Sequence, residues 1–217
     1  MRLPWTKGPV GLAAVGGRAH RQGHGSESSE AFYLRPRAMS KVTLHDKQFE
    51  PFISEQELGQ AIDAAAAKIA ATYKDRVPLF LGVLNGSYFF ASELMKRLRI
   101  DCEISFVKVA SYHGTVSTGT VRELIGLQER IAGRDVVIVE DIVDTGNTIA
   151  HAVESLKEKS PASIAIASML MKPDVYTKDI PVEYVAMKIP NVFVVGSGLD
   201  HDGLGRNLPG IYKIVNN

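Results

Sequence analysis

The stretch VVIVEDIVDTGNTI, residues 136–149, joins an aliphatic run to three carboxylates and a Thr-Gly-Asn-Thr turn. An unbroken aliphatic run predicts a strand that is buried on both faces of a sheet. The turn predicts a helix that starts near Thr145 or Asn147, and the first backbone amides of a helix have no partner within it. Free amides, threonine hydroxyls and Gly146, which lets the backbone approach closely, suit a phosphate group. The stretch therefore predicts a strand, an anion-binding turn and a helix.

The three carboxylates of this stretch, Glu140, Asp141 and Asp144, follow directly on the aliphatic run. Ligands of open α/β sheets bind beyond the carboxyl ends of the strands, where these side chains are expected. Adjacent carboxylates suit ribose hydroxyls or a hydrated Mg²⁺ ion. Acids and a helix cap also occur at ordinary strand–helix junctions, but the full pattern of acids, threonines and glycine favours a ligand site. A ligand with a ribose ring and a 5′-phosphate satisfies both ends of the pattern.

Strand and helix patterns alternate along the remainder of the chain. Aliphatic runs at residues 79–84 and 163–171 predict two more buried strands, and a capping-box pattern at residues 54–57 predicts the start of an amphipathic helix. Strands that alternate with helices imply right-handed crossovers and a mostly parallel sheet. We therefore assign residues 39–217 to one α/β domain with a mostly parallel central sheet flanked by helices.

Residues 1–38 differ in composition from the rest of the chain. They are rich in Gly, Arg and Ser, they hold six Lys or Arg against two acids, and they have no sustained helical or strand period. We interpret them as a disordered N-terminal extension. Three origins are compatible with this composition: a start assigned upstream of a true initiator at Met39, which we favour, a transit-like presequence, or a plain tail.

Overall composition excludes several classes of function. The formal net charge of +1 over 217 residues gives no indication of a nucleic-acid partner. The single cysteine, Cys102, permits neither a disulfide nor a thiolate metal site within one chain, and we expect an intracellular, cytoplasmic protein. No apolar run approaches the length of a bilayer span, so we expect no membrane partner.

Residues 140–148 resemble the phosphoribosyl-diphosphate signature of the type I phosphoribosyltransferases. Over most of residues 45–215, the order and spacing of the other motifs are similar to the hypoxanthine-guanine branch of that family. The resemblance implies the type I fold with a small hood that carries the base site, Mg²⁺ as cofactor, and a homodimer or homotetramer. It also implies purine salvage, in which the 5-phosphoribosyl group of phosphoribosyl diphosphate moves to N9 of hypoxanthine or guanine, giving IMP or GMP and pyrophosphate.

The resemblance assigns roles to individual residues. Asp144 matches the candidate general acid or base near N7 of the purine. The residues that match the family's donor-binding positions are Glu140, Asp141, Thr145, Gly146, Asn147, Thr148, Asn85, Gly86, Ser111, Tyr112 and Arg206. The residues that match its metal-binding positions are Glu140, Asp141 and Asp200, and those that match its purine-binding positions are Lys172, Phe193 and Val194.

The purine-binding positions carry the expected base specificity. Lys172 matches the lysine that donates to O6 of the purine, Phe193 the aromatic residue that stacks on the base, and Val194 a backbone contact to the purine edge. An ammonium group has only donors, so it pairs with a 6-oxo group and not with the 6-amino group of adenine. Such pairing, when it is lost at a buried polar site, discriminates by a factor of roughly 10⁴.

The pyrophosphate loop of the family matches residues 83–90. In that loop the peptide between Leu84 and Asn85 is expected to be cis. Many relatives carry lysine at the positions of Asn85 and Asn147, so we expect the phosphates to be held there through backbone amides.

A second loop, residues 111–120, is small, polar and glycine-rich, and it matches a lid that folds over the bound donor. We interpret His113 as a solvent-facing residue of this lid. His45, His151 and His201 are likewise interpreted as residues without a role in the site.

Two other classes of protein share part of this pattern with an enzyme. A regulator on the same fold would sense phosphoribosyl diphosphate or nucleotides, but such proteins usually add a nucleic-acid-binding element and lose the base-site residues. A phospho-acceptor signalling domain also places acids at strand ends, but it does not need the Thr-Gly-Asn-Thr turn. Within the enzyme class, a xanthine-preferring phosphoribosyltransferase is the alternative.

Overall fold

The computed structural model describes the backbone of residues 39–112 and 121–215 and the side chains within these ranges except those of residues 110–112 and 121–125. The extension predicted at residues 1–38 and most of the predicted lid lie outside the described residues.

Ten strands and three α-helices make up most of the regular structure of the described residues. The strands are β1 (Val42–Leu44), β2 (Lys47–Ile53), β3 (Leu79–Leu84), β4 (Glu103–Tyr112), β5 (Val121–Ile125), β6 (Asp135–Val143), β7 (Ser163–Met171), β8 (Tyr184–Lys188), β9 (Val194–Val195) and β10 (Ile211–Ile214). The helices are α1 (Glu55–Thr72), α2 (Tyr88–Arg97) and α3 (Asn147–Lys157).

A six-stranded sheet forms the centre of the domain. Its strand order is β5-β4-β3-β6-β7-β8, and every neighbouring pair is parallel except β4 and β5, which are antiparallel. The predicted α/β class with a mostly parallel sheet is therefore confirmed. The aliphatic segments of β3 and β6 are buried on both faces, as the unbroken apolar runs predict.

Helices cover the two faces of this sheet and create two apolar cores. Helix α1 begins with the predicted capping box, in which Ser54 Oγ accepts from Glu57 N at 3.1 Å and Ser54 N donates to Glu57 Oε2 at 2.9 Å. Helix α1 and helix α2 pack through their apolar stripes on one core, and α3 packs on the other. Because β3, β6 and β7 are parallel, their carboxyl ends lie at the same edge of the central sheet.

A second, four-stranded sheet forms the hood. Its order is β1-β2-β10-β9, with antiparallel pairs throughout, so strands from both ends of the domain meet in it. Phe49, Val195 and Tyr212 form its buried centre. The hood carries Phe193 directly before β9, and it carries Asp200 and Arg206 between β9 and β10.

Among the described residues, no helix is both long enough and apolar enough to cross a membrane.

Candidate active site

The adjacent carboxylates Glu140 and Asp141 lie near the carboxyl end of β6, where the alternation of the strand turns them towards different surroundings. Glu140 is only 7% exposed, and its buried Oε2 has no hydrogen-bond partner among the described residues. One oxygen of Asp141, Oδ1, accepts from the backbone amide of Ile142 at 2.8 Å. A buried acceptor without a donor indicates a ligand site, since native structures satisfy nearly all such groups.

Burial shifts the protonation of both carboxyls. Desolvation, and then the neighbouring charge of Asp141, raise the pKa of Glu140 well above its ordinary value. Desolvation also raises the pKa of Asp141 to about 6, although the Ile142 amide and the Arg206 guanidinium act in the opposite direction. The ligand-free pair is therefore short of positive charge and of hydrogen-bond donors, which a hydrated cation and ribose hydroxyls supply.

This shift predicts how the stability of the ligand-free protein depends on pH. The pKa of Asp141 rises from 3.8 unfolded to about 6 folded, so its proton stabilises the fold below about pH 4 and this contribution is lost as the pH rises through 6. Asp141→Asn is expected to raise the unfolding free energy at pH 7.5 by about 1–3 kcal/mol, with little effect at pH 4.5. Urea unfolding at the two pH values measures this.

The exposed Asp174 provides the matched control for that measurement. Asp174→Asn removes one negative charge from the same edge of the sheet and is expected to leave the unfolding free energy unchanged at both pH values. A variant Asp141→Asn that is less stable than the parent at pH 7.5 would contradict the assignment of a raised pKa to this carboxyl.

Gly146 opens helix α3 in the conformation that the predicted phosphate turn requires. Its φ is 84°, in the left-handed region that favours glycine, and α3 has no side-chain cap. A Cβ on Gly146 would lie 2.4 Å from Cε2 of Tyr176 and 2.8 Å from Cγ of Lys178. No side-chain cap therefore occupies the first backbone amides of α3. Tyr176 and Lys178, in the segment after β7, pack against Gly146 on the other side of the turn.

That segment is also hydrogen-bonded to the turn. Thr177 donates to the carbonyl oxygen of Thr145 through its backbone amide at 3.4 Å and through Oγ1 at 3.2 Å. Asn147 and Thr148 occupy the first two positions of α3, and Asn147 is exposed. All four residues predicted to hold the phosphate thus share one turn.

The predicted pyrophosphate loop approaches the carboxylates very closely. A Cβ on Gly86 would lie 1.5 Å from Oδ2 of Asp141, so only glycine fits there. The peptide between Leu84 and Asn85 is cis, which confirms the expectation, and the side chain of Asn85 is exposed. The loop after β3 and the end of β6 therefore form one continuous wall.

Asp200 and Arg206 extend this wall from the hood. Arg206 Nη2 contacts Asp200 Oδ1 at 2.6 Å, and Arg206 Nη1 donates to the carbonyl oxygen of Gly198 at 2.6 Å. Gly198 in turn lies against the loop after β3, because a Cβ there would be 2.2 Å from the carbonyl oxygen of Gly86. The predicted metal-binding and pyrophosphate-binding residues are thus adjacent, and the carboxylate and guanidinium neutralise each other without ligand.

Asp144 and Lys172, from the loops after β6 and β7, form an ion pair. Lys172 Nζ donates to Asp144 Oδ2 at 2.9 Å, and the two side chains are 8% and 47% exposed, respectively. The amide of Lys172 also donates to the carbonyl oxygen of Val143 at 2.9 Å. The candidate proton-transfer group and the candidate O6 donor are therefore adjacent, so one purine could reach both.

The purine-stacking candidate Phe193 lies at the rim of the hood. Its side chain is 46% exposed, which leaves an aromatic surface open. Val194 is buried in β9, and the carbonyl oxygen of Phe193 accepts from Ile214 N at 2.9 Å. The two residues are thereby held by strand pairing, with one ring presented at the surface.

For two predicted site residues, Ser111 and Tyr112, the structure describes the backbone alone. Ser111 and Tyr112 end β4, opposite Arg122 and Val121 of β5, and their side chains lie outside the described residues, as does the rest of the predicted lid.

His201, which the sequence predicts to have no role in the site, is largely buried beside the candidate base-stacking ring. Its side chain is only 18% exposed, and its ring centroid lies 5.8 Å from that of Phe193. One feature of the sequence points to this position of His201: Asp202 and Gly203 predict a tight turn that reverses the chain directly after it.

The residues present fit a magnesium ion through the chemistry of their donors. Glu140, Asp141 and Asp200 offer carboxylate oxygens, which Mg²⁺ prefers. Within residues 39–112 and 121–215, no group of three or more His, Cys, Asp or Glu side chains lies close enough to hold a metal by itself.

Comparison with known proteins gives one consistent result. Residues 53–202 match the family of the phosphoribosyl transferase domain. A hypoxanthine-guanine phosphoribosyltransferase of Staphylococcus epidermidis is 41% identical over 167 residues, which cover 76% of this chain and 93% of the relative. The crystal structure of a hypoxanthine phosphoribosyltransferase from Staphylococcus aureus superimposes with a TM-score of 0.70 at 35% identity, covering 76% of this chain and 91% of that one.

A longer relative also matches. The bifunctional protein TilS/HprT of Listeria innocua is 39% identical over 174 residues, or 79% of this chain. The matched region spans only 27% of the length of that relative.

Proposed function

The chain belongs to the phosphoribosyl transferase domain family, and from this premise we propose that it is a purine salvage enzyme. It transfers the 5-phosphoribosyl group of phosphoribosyl diphosphate to N9 of hypoxanthine or guanine and releases pyrophosphate. The observation that carries the proposal is the ion pair of Lys172 and Asp144 beside the phosphate turn, with Nζ and Oδ2 2.9 Å apart. It joins a donor for O6 and an acceptor for the proton on N7 at the edge of the sheet where the sugar phosphate binds.

The donor is bound along the edge of the sheet. Amides of the turn at Thr145 to Thr148 hold the 5′-phosphate, and Glu140 and Asp141 accept from the ribose hydroxyls. The loop at Asn85 and Gly86, with Arg206, faces the pyrophosphate. Binding of the anionic pyrophosphate competes with Asp200 for the Arg206 guanidinium, so that contact rearranges.

Glu140, Asp141 and Asp200 would hold Mg²⁺, which would supply positive charge beside the leaving pyrophosphate. The remaining contributions come from the chain itself. Amides of the pyrophosphate loop stabilise the negative charge that develops on the pyrophosphate. On the family resemblance, Ser111 and Tyr112 at the end of β4 are assigned to the donor site.

In the proposed complex the base lies between Lys172 and Asp144, and both side chains activate it. O6 of a 6-oxopurine takes a hydrogen bond from Lys172, while the carboxylate of Asp144 accepts the proton on N7 and raises the nucleophilicity of N9. Phe193 stacks on the ring and the backbone of Val194 contacts its edge. No covalent intermediate is needed, because N9 attacks the anomeric carbon directly.

A panel of bases tests this proposal. Hypoxanthine, guanine, xanthine and adenine are each supplied with phosphoribosyl diphosphate and Mg²⁺, and pyrophosphate release is followed. Hypoxanthine and guanine are expected to turn over, and adenine to be slower by roughly 10³-fold or more, because its amino group leaves the Lys172 ammonium without an acceptor. Adenine turning over as fast as hypoxanthine would contradict the role of Lys172, and xanthine as the preferred base would favour the alternative substrate.

The phosphate turn gives a second prediction. In Gly146→Ala the new Cβ meets the Tyr176 ring at 2.4 Å and the backbone keeps an unfavourable φ of 84°, so the turn must move. The KM for phosphoribosyl diphosphate is expected to rise at least about 30-fold, since a small displacement of phosphate-binding groups is costly. Steady-state kinetics with varied donor measure it.

Gly133 offers the matched control for that variant. It also has a positive φ, 74°, but a Cβ there meets nothing within 4 Å. Gly133→Ala therefore imposes the same backbone penalty away from the turn and is expected to leave the donor KM unchanged. Equal increases in both variants would show that backbone strain alone, and not the phosphate turn, sets the donor KM.

Partners and location belong to the same proposal. The substrates are small molecules, and we place the enzyme in the cytoplasm on the basis of its single cysteine, which suits a reducing compartment. Assembly as a homodimer or homotetramer is proposed on the family resemblance. A sensor on the same fold is less favoured, because Lys172 and Phe193 keep the positions of a base site.

A further inference from the structure

The hairpin after Asp200 has a defined geometry that directs one ring into the hood. Asp202 and Gly203 have φ angles of 47° and 87°, and His201 and Leu204 exchange backbone hydrogen bonds of 2.9 and 3.0 Å. An Asp-Gly pair with two positive φ angles is a preferred centre of the two-residue type I′ hairpin. Gly203 N also donates to Asp200 Oδ2 at 2.7 Å. The backbone that carries His201 is therefore fixed from both sides.

The ring of His201 packs among aromatic side chains. Its centroid lies 5.8 Å from that of Phe193 and 5.9 Å from that of Phe49, and His45 approaches it from a third direction at 5.6 Å. Its Nε2 is buried and makes no hydrogen bond within the described chain, with Asp46 Oδ1 3.6 Å away. The ring therefore has aromatic neighbours on three sides, while the carboxylates of Asp46 and Asp202 lie 3.6 and 3.9 Å from its two nitrogens.

The Phe193 ring is held by two neighbours and open elsewhere. His201 meets it at an interplanar angle of 82°, the edge-to-face arrangement, and Phe49 meets it at 45° with centroids 6.1 Å apart. Phe49 is fully buried and belongs to the centre of the hood. Without the His201 ring, Phe193 would keep one aromatic neighbour and gain rotational freedom, which a bound base would have to remove.

We infer that His201 is a positioning residue for the purine: it holds the ring of Phe193 at the angle at which the open face receives the base. The inference rests on the proposed function, which assigns Phe193 to base stacking. His201 touches no substrate atom in this arrangement and acts only through Phe193. The same hairpin holds Asp200, so one turn sets both the base platform and a carboxylate of the proposed metal site.

His201→Ala tests the inference by separating the two substrates. The KM for hypoxanthine is expected to rise about three- to tenfold, which corresponds to the loss of one aromatic pair. The donor KM and kcat are expected to stay within about twofold, since neither the phosphate turn nor Asp144 contacts His201. A purely structural role would lower the amount of active enzyme and therefore kcat, and would not move one KM alone.

Two further variants distinguish packing from folding. His201→Phe keeps an aromatic edge beside Phe193 and is expected to restore the hypoxanthine KM to within about twofold of the parent. His201→Leu keeps the volume without the aromatic edge and is expected to raise the KM as alanine does, so it serves if the alanine variant does not fold. His45→Ala removes the ring on the outer side of His201 and is expected to leave the hypoxanthine KM unchanged.

The outcomes separate the inference from the proposed function. A parent enzyme that forms no nucleotide from any 6-oxopurine overturns the proposed function and this inference together. An active parent whose His201→Ala and His201→Leu variants keep the parental hypoxanthine KM overturns the inference alone. An equal rise in both substrate KM values would also overturn it, because it would mean a general distortion of the site.

Discussion

Asp144→Asn is expected to lower kcat by about 10²–10⁴-fold, the usual contribution of a positioned acid or base. The amide is close to the carboxylate in shape and still accepts a hydrogen bond, but it has lost the negative charge that draws the proton from N7. Donor binding is expected to change little, since the phosphate turn and the carboxylates at the end of β6 are untouched. Steady-state turnover and calorimetric titration with phosphoribosyl diphosphate and Mg²⁺ measure the two quantities separately.

The ion pair makes a stability control necessary for this variant. Lys172 is 8% exposed and Asp144 is 47% exposed, so removing the carboxylate leaves the more buried charge without its partner, which is costly. Thermal unfolding of the variant establishes that the loss of turnover occurs in folded enzyme. Asp174→Asn, exposed and two residues after Lys172, is the charge-matched control and is expected to keep parental turnover. A near-normal kcat in Asp144→Asn would remove this residue from the mechanism.

Replacement of Lys172 has the second large effect, and it acts on the base. Lys172→Ala is expected to raise the KM for hypoxanthine by roughly 10–150-fold, the value of a lost hydrogen bond from a charged donor. Its effect on stability is expected to be smaller than that of Asp144→Asn, because the carboxylate left behind is half-exposed and remains solvated. The variant therefore isolates recognition of O6 from folding.

Glutamine at the same position tests the reason for the specificity. A glutamine side chain has both a donor and an acceptor, whereas an ammonium has donors only. Lys172→Gln is expected to reduce the preference for hypoxanthine over adenine more than Lys172→Ala does, measured as the ratio of kcat/KM for the two bases. Lys188→Ala, at the exposed end of β8, is the control and is expected to preserve that ratio. An unchanged hypoxanthine KM in Lys172→Ala would refute the assigned contact.

Local sequence pattern was sufficient to predict the features that form within one short segment. The strand, the turn and the helix at residues 136–149 form as predicted, because unbroken aliphatic residues, a glycine and an uncapped helix start each act on their own neighbours. The same holds for the capping box at Ser54. The cis peptide at Leu84 was predicted from the resemblance alone, since nothing in its local composition requires it.

Contacts between segments far apart in the chain could not be predicted from local sequence pattern. The hood pairs β2, near the start of the domain, with β10 at its end, and short strands do not specify their partners across so long a separation. The fit of Gly86 against Asp141 and the pairing of Lys172 with Asp144 depend likewise on how two loops meet. The position of the His201 ring depends on the same kind of contact, because the hairpin directs it towards Phe193.

Sequence pattern alone specified the class of fold, the turn proposed to hold a phosphate and the residue types of the candidate site, because secondary-structure periods and turn chemistry act over a few neighbouring residues. Folding in three dimensions set which of those residues meet, how deeply Glu140 is buried and which ring lies beside Phe193. These features depend on exclusion of water and on packing between segments far apart in the chain, which no local pattern encodes.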